Sequence, residues 1–445
     1  MKLDNWLAQR AQSCPERTAL VSGRTSVTYR ELEAEATWVA RRLAAYGVRR
    51  GGLAALTMHP RREEVVLLHA LMKLGATALP LDPRLTETER SEILAAERPA
   101  IDLNDAAELT QTEADLPLLG EHDMDDLQCR ILTSGSAGTP RPIGLTYGNF
   151  LFSAVGSAFN IGVDPADRWL CCLPLSHVAG LSIAMRSVIY GTTAVLHDGF
   201  EPDAVAAELV SGQITVLSLV PTMLVRLLEL DADLSRPRAI LVGGGPVPED
   251  ALRGAIDRDA KVVQTYGMTE TCSQVSTLAP ADARRKLGSA GRPLLTTHVR
   301  IEGEEILVQG PTVAPGTTDA DGWLHTGDLG WIDEEGFLYV TGRRSDMIVS
   351  GGENVMPAEV EAVLLAHPAV EDAAVVGRPD PEWQEAVCAL VVQDGEVSEQ
   401  ELRDHCAGTL APFKVPKRVE FVSRLPRTPS GKLLREELME LAGSE

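Results

Sequence analysis

Four hydroxyls and two glycines fall within seven residues at Thr133-Ser134-Gly135-Ser136-Ala137-Gly138-Thr139. Glycine lets a backbone approach a ligand closely, and clustered N–H and O–H donors suit a polyphosphate. The stretch lacks the Gly-Lys-Ser/Thr ending of the common nucleotide-binding loop, so a polar turn between two strands explains it equally well in isolation. "VQTYGMTETCSQ" (Val263–Gln274) reads as a strand ending at a Tyr-Gly turn. There Tyr266 offers a ring face to a base, Thr269 a hydroxyl to phosphate and Glu270 a hard oxygen to Mg2+. "LVGGGPVPED" (Leu241–Asp250) is a second strand-to-glycine turn, where a planar base can lie against bare backbone. "HTGDLG" (His325–Gly330) sets Asp328 on a tight turn, its carboxylate suited to both hydroxyls of a ribose. "LPRTPSGKLLR" (Leu425–Arg435) carries Lys432 behind a flexible Pro-Ser-Gly, a mobile cation for a phosphoryl centre that gains negative charge. Each motif has a plainer reading: a helix start at Thr269-Glu270, an Asp bonding its own turn, an exposed Lys before a last helix. No GxGxxG with a following acid supports a dinucleotide fold instead.

The elements that must position these residues are legible from periodicity. In "SVTYRELEAEATWVARRLAAYGV" (Ser26–Val48) a strand-like piece precedes a capping box of Thr28 and Glu31, with Leu32, Ala36, Val39 and Leu43 on one helical face. "EVVLLHALMKLGATALPLDP" repeats helix then strand, with Gly75 as the helix C-cap. Strands at Thr192–His197, "ITVLSLV", "RAILVGGG" and "KVVQTYG" then alternate with helices from Pro202, Thr222 and Glu249. Strands apolar on both faces between helices indicate parallel sheets covered by helices, an α/β fold. An Asn at 149 is placed to start the helix after the Ser/Gly stretch. After about Asp321, glycine every few residues reads as short antiparallel strands. A fresh strand, Gly-Gly turn and Pro-started helix follow from Arg343–Asp346 onward, and two more strands and a helix from Ser398 complete a small α+β domain.

The chain has 445 residues, 44% apolar and 24% charged, enough for a large core and more than one domain. A net charge of -23 argues against a nucleic-acid surface, and an ATP site here must gather its own cations or metal. Seven cysteines without zinc spacing read as buried reduced thiols. "MKLDNWLAQRAQ" has no apolar core for a secretory leader, and no stretch is long and apolar enough for a membrane span, so a cytoplasmic enzyme is expected.

Taken in this order and at these separations, the five motifs resemble the acyl-adenylate-forming superfamily of acyl-CoA synthetases, luciferases and peptide-synthetase adenylation domains, from about Thr28 to Lys432. The resemblance implies a large N-terminal part, residues 1–342, of parallel sheets plus a small barrel-like part. A small mobile C-terminal domain, residues 343–445, then carries the catalytic lysine. It further implies that the Thr133–Thr139 loop closes on the β- and γ-phosphates of ATP, that Gly244, Gly245 and Tyr266 flank adenine, and that Gly267 belongs to the ATP/AMP site. Asp328 and Arg343 would hold the ribose, Thr269 the α-phosphate, Glu270 the Mg2+, and Lys432 the transition state of adenylation. The family's loop usually ends in Lys-Gly; here Arg141 keeps the charge while Pro142 stiffens the backbone and removes an N–H.

In a second pose "SGGENV", with Gly351 and Gly352, would line the pantetheine path of CoA, and the hinge of the motif falls on Ser345. "PLSHVAGLSIAMRSVIYG" (Pro174–Gly191) would wall the acyl pocket, with His177 at the gate position. Arg186, inside an apolar run, would pair either with a structural acid or with a second carboxylate on the substrate. The 153–191 and 266–280 stretches resemble members that act on an aromatic keto-diacid. Another aryl- or medium-chain acyl-CoA ligase and a non-catalytic nucleotide-binding relative are the alternatives. The partners implied are ATP, the diacid and CoA, with no nucleic acid; a homo-oligomer stays open.

Overall fold

All four residues of Ala239–Val242 are buried, as a strand covered on both faces must be. It lies near the middle of a nine-stranded sheet in a computed structural model that describes residues 1–104, 109, 113–133, 141–350, 353–381, 383–428 and 433–443. From one edge the sheet runs Arg292–Pro293, Ser273–Thr277, Val262–Met268, Ala239–Val242, Val216–Leu219, Arg168–Cys171, Thr193–Leu196, Thr18–Ser22 and Thr25–Thr28. The six strands from Val262–Met268 to Thr18–Ser22 are parallel, as expected, whereas the edges are antiparallel. A second sheet, ordered Ile101–Leu103, Leu53–Thr57, Thr77–Leu81, Leu127–Thr133 and Arg141–Thr146, is parallel up to its last, antiparallel pair. Two of the departures, across Gly23-Arg24 and across residues 269–272, come from connections too short to hold a crossover helix, which can only return the chain antiparallel.

Two of the helix signals hold residue by residue. Thr28 and Glu31 form the capping box of helix Tyr29–Ala45, whose buried face includes Leu32, Ala36, Val39 and Leu43. Gly75 ends helix Arg62–Leu74 with φ 65°. Asn149 does not start its helix: Thr146 is the N-cap of Tyr147–Ile161, and Asn149 answers it from the third position of the box. Arg10 and Arg17 donate to the Val188 and Gly191 carbonyls at the carboxyl end of helix Val178–Tyr190, where cations are favoured.

The antiparallel region begins earlier than its glycines suggest, with a four-stranded sheet of His298–Glu302, Glu305–Gln309, Leu324–Ile332 and Leu338–Arg343. Its first strand is polar and half exposed, so its sequence carries little apolar signal. Gly303 and Glu304, both at positive φ, make its two-residue turn. The sheet packs through Ile306, Val308, Leu324 and Leu338 against Val275 of the central sheet. Residues 348–421 build a separate five-stranded sheet with its own apolar clusters around Val375 and Leu390. All seven cysteines are free and six are buried. Among the described residues no helix is long and apolar enough to cross a membrane.

Helix Arg62–Leu74 is buried from Glu64 to Leu74 and holds His69 at 2% exposure. Burial, helped by the Lys73 charge, pushes His69 down to about 4. Once unfolded, the imidazole titrates near its ordinary value. Between about pH 6.5 and 4 the unfolded chain therefore binds a proton that the folded chain refuses, and stability falls as pH falls through that window. The expected loss approaches about 3 kcal/mol at pH 4. Denaturant midpoints of the wild type and His69→Gln across that range check it, the variant giving the flatter slope.

Candidate active site

The carboxyl ends of three adjacent parallel strands converge. Val216–Leu219 runs into Val220-Pro221, Ala239–Val242 into Gly243-Gly244-Gly245, and Val262–Met268 into Thr269-Glu270. In open α/β sheets such ends are where ligands bind. Glycine is needed twice here for close approach. A Cβ on Gly243 would stand 2.7 Å from the carbonyl oxygen of Thr265 on the next strand, and Gly244 has φ 86°. Val220 and Pro221 side chains flank Gly244 and Gly245.

Tyr266 and Gly267 do not form the expected turn. The strand continues through both to Met268, with a bulge between them, and the reversal is the 3-10 turn Thr269–Thr271. Gly267 meets the returning strand so closely that an added Cβ would lie 1.6 Å from Ser273 O. Its requirement is backbone packing. Beyond the turn Cys272 and Ser273 take φ 50° and 90°. Non-glycine residues there cost about 1–3 kcal/mol each and persist only where surrounding contacts enforce them. Two such contacts are the Ala314 N–H on the Glu270 carbonyl at 2.7 Å and the Ser153 hydroxyl on the Cys272 carbonyl, also 2.7 Å. Glu270 is half-buried.

Asp328 is 14% exposed and lies opposite Arg343 on the neighbouring strand. Arg343 Nε donates to Oδ1 at 2.9 Å and the Tyr266 hydroxyl to Oδ2 at 2.8 Å. Burial, then the Asp328 charge, raises the Tyr266 phenol well above its ordinary value, which keeps it a donor. A carboxylate has about four lone-pair positions, so two remain for hydroxyls of a ligand. Thus Tyr266, Asp328 and Arg343 are brought together, beside the glycine turn and the Thr269-Glu270 turn.

Thr133 pairs with Arg141, its hydroxyl donating to the Arg141 carbonyl at 3.1 Å, and Pro142 lies on an edge strand, where a missing N–H is tolerated. The Arg141–Thr146 strand packs on the Thr269–Thr271 turn. The rest of that loop, Ser134, Gly135, Ser136, Ala137, Gly138 and Thr139, lies outside the described residues, as do Gly351, Gly352 and Lys432. Their flanks are placed: Ser350 pairs with Glu353, and Arg427 bridges to Leu433 while its side chain pairs with Asp372 at 2.7 Å. Ser345 occupies the 3-10 turn Arg344–Asp346 directly after Arg343 and donates to Asp346 at 3.0 Å.

His177 is the N-cap of helix Val178–Tyr190 and stands 3.7 Å from Asp82, at the carboxyl end of strand Thr77–Leu81 in the second sheet. Arg186 lies roughly 13 Å further along the same helix. It is 3% exposed, has no carboxylate partner among the described residues, and donates through Nη2 to Ser153 Oγ at 2.8 Å. Its Nε has no hydrogen-bond partner among them either. Burial disfavours the guanidinium charge, yet arginine keeps it. Ser153 was not marked by any motif, because its two partners lie 33 and 119 residues away.

Gly267→Ala is expected to lower stability by about 3 kcal/mol, since backbone must move to admit the methyl group. Gly254→Ala, where nothing lies within 4 Å of the added atom in helix Glu249–Asp257, is expected to stabilise by roughly 0.5–1 kcal/mol. Thermal unfolding of the pair measures the contrast.

A family model for AMP-binding enzymes matches residues 7–117 and 100–317, and one for the C-terminal domain of AMP-binding enzymes matches residues 359–432. The chain is 42% identical to the 2-succinylbenzoate–CoA ligase of Bacillus licheniformis, over 98% of this chain and 99% of that protein. The o-succinylbenzoate CoA synthetase of Bacillus subtilis in complex with its acyl-adenylate intermediate superposes with a TM-score of 0.93, at 40% identity and 98% coverage of both chains. The same enzyme with ATP and magnesium ion gives 0.92, at 40% identity over 98% of this chain and 100% of that one. Fold, strand-end site and full-length likeness agree: the chain belongs to the AMP-binding enzyme family.

Proposed function

We propose that the chain is an ATP-dependent acid–thiol ligase that converts 2-succinylbenzoate and CoA to 2-succinylbenzoyl-CoA, AMP and pyrophosphate, a step of menaquinone biosynthesis. A carboxylate is a poor electrophile towards a thiol. Its oxygen first attacks the α-phosphorus of ATP and pyrophosphate leaves with the bonding electrons; the CoA sulfur then attacks the acyl carbon of the mixed anhydride and AMP leaves. Full-length likeness to 2-succinylbenzoate–CoA ligases supports the reaction. The observation that carries the choice of acid is Arg186, a buried cation without a carboxylate partner among the described residues. An unpaired buried charge is costly, and the second carboxylate of a diacid would relieve that cost.

In this reading Gly244, Gly245 and Tyr266 border the adenine, Gly267 belongs to the same nucleotide site, and Asp328 with Arg343 takes the ribose hydroxyls. Thr133–Thr139 holds the outer phosphates, Thr269 the α-phosphate, and His177 gates the acid. Glu270 offers one hard oxygen to Mg2+, whose charge offsets the phosphates when bound. A single half-buried carboxylate suits that ion, which keeps most of its ligands from phosphate and water. Lys432 neutralises the charge that grows on the α-phosphate. Residues 343–445 turn about Ser345 between the two half-reactions, which brings Gly351 and Gly352 to the CoA path and withdraws Lys432.

Three expected outcomes test this. Across a panel of acids with ATP and CoA, release of AMP and pyrophosphate with succinylbenzoate stands clear of benzoate and octanoate. In the same assay Arg186→Ala raises KM for the diacid about tenfold or more while leaving monoacids within twofold, the size of one lost charged hydrogen-bond pair. Lys432→Ala slows adenylation by roughly three orders of magnitude yet spares thioester formation from supplied acyl-adenylate, measured as single-turnover rates of each half-reaction.

A further inference from the structure

Ser153 sits on helix Tyr147–Ile161, 2% exposed, between groups that belong to different parts of the site. Its Oγ accepts from Arg186 Nη2 at 2.8 Å and donates to the Cys272 carbonyl at 2.7 Å. A guanidinium only donates and a carbonyl only accepts, so the single hydroxyl proton is committed to Cys272. Cys272 is buried, follows Thr269-Glu270-Thr271 directly, and opens the pair of positive-φ residues that closes the turn. The chain of contacts is therefore continuous from the buried cation to the turn that bears Thr269 and Glu270.

We propose that Ser153 is a positioning residue that couples the carboxylate pocket at Arg186 to the Thr269–Glu270 turn. A cation donating to a hydroxyl strengthens that hydroxyl as a donor, and the strengthened bond falls on the backbone of the strained turn. Ser153 also fixes Nη2 and so orients Nε, the nitrogen without a partner among the described residues, for the acid. A carboxylate placed on that guanidinium would change the charge felt by the Ser153 hydroxyl and so reach the turn, whereas an acid without one would leave the relay as it stands. This rests on the reading of Arg186 given under the proposed function.

The test uses the full chain with ATP and CoA, comparing 2-succinylbenzoate with 4-oxo-4-phenylbutanoate, which has the same ring, ketone and aliphatic carboxylate but no carboxylate on the ring. Ser153→Ala is expected to lower kcat for the diacid about tenfold, one charge-assisted hydrogen bond's worth, and for the monoacid by a clearly smaller factor, since the turn then loses only the hydroxyl's hold. Ser153→Thr keeps the hydroxyl and restores the diacid rate to within about threefold. In an Arg186→Ala background Ser153→Ala adds less than about twofold, the mark of residues that act as one unit. If the alanine variant does not fold, Ser153→Cys, of similar size with a weak donor, carries the same comparison. Equal losses on both acids with Ser153→Ala, or full additivity with Arg186→Ala, overturn the coupling alone. Equal losses on both acids with Arg186→Ala overturn the carboxylate reading and the coupling with it.

Discussion

The Asp328 carboxylate takes a hydrogen bond from Tyr266 on one oxygen and from Arg343 on the other, and the rest of the candidate site is arranged around that contact. Tyr266 extends from the parallel sheet; Asp328 and Arg343 face each other across two antiparallel strands. Three strands from two sheets are thus fixed at one point. Arg343 is substantially exposed, so solvent screens the ion pair and its value lies more in geometry than in stability. The same strand leads straight into Arg344–Asp346. There Arg344 reaches Glu305 at 3.5 Å, and Glu305 is shared with His325 at 3.4 Å. Asp328 and the Arg344–Asp346 turn are consequently held by one four-stranded sheet.

A second constraint is the length of strand Val262–Met268. Its neighbour Ala239–Val242 ends opposite Gln264, so four further residues project past that strand, paired on their other side with Ser273–Thr277, before the chain reverses. That projection carries Tyr266 to Asp328 and sets Thr269 and Glu270 beyond the glycine turn. The reversal is tight, with Cys272 and Ser273 in a conformation that glycine would adopt more readily. Contacts from Ser153 and Ala314 hold it. Strain kept by surrounding contacts, rather than relieved by substitution, is the pattern of a turn whose geometry serves a ligand.

Local rules made much of this legible. Thr28 with Glu31, and Gly75, declare helix ends through hydrogen bonds that span only a few residues. Asn149 misled because Asn favours both the N-cap and the answering position of a capping box, and only the fold decides for Thr146. The Tyr266-Gly267 pair looked like a turn because glycine usually marks one, whereas here glycine admits the returning backbone. The four-stranded sheet began unseen because a half-exposed polar strand has no apolar period. Asp328, Arg343, Tyr266 and Glu270 were readable as motif residues, but the hydroxyl of Ser153 was not. A relay between three elements exists only after they pack.

Charge explains why the buried arginine stands apart. In a chain of net charge -23, cations generally find acids: Arg238 pairs with Asp167, Lys286 with Asp333, Arg427 with Asp372 and Arg435 with Glu361. Arg343 is already committed to Asp328, and Glu270 adds a further negative group. A tetra-anionic nucleotide would therefore meet a repulsive field unless it arrives with its own cation, which favours the magnesium complex over free ATP. The acid meets the opposite condition. Arg186 keeps its charge at 3% exposure, and no carboxylate answers it among the described residues. In the proposed reading a second carboxylate of the substrate answers that guanidinium as the metal answers the phosphates, so the acid pocket and the nucleotide site meet one imbalance of charge from opposite sides.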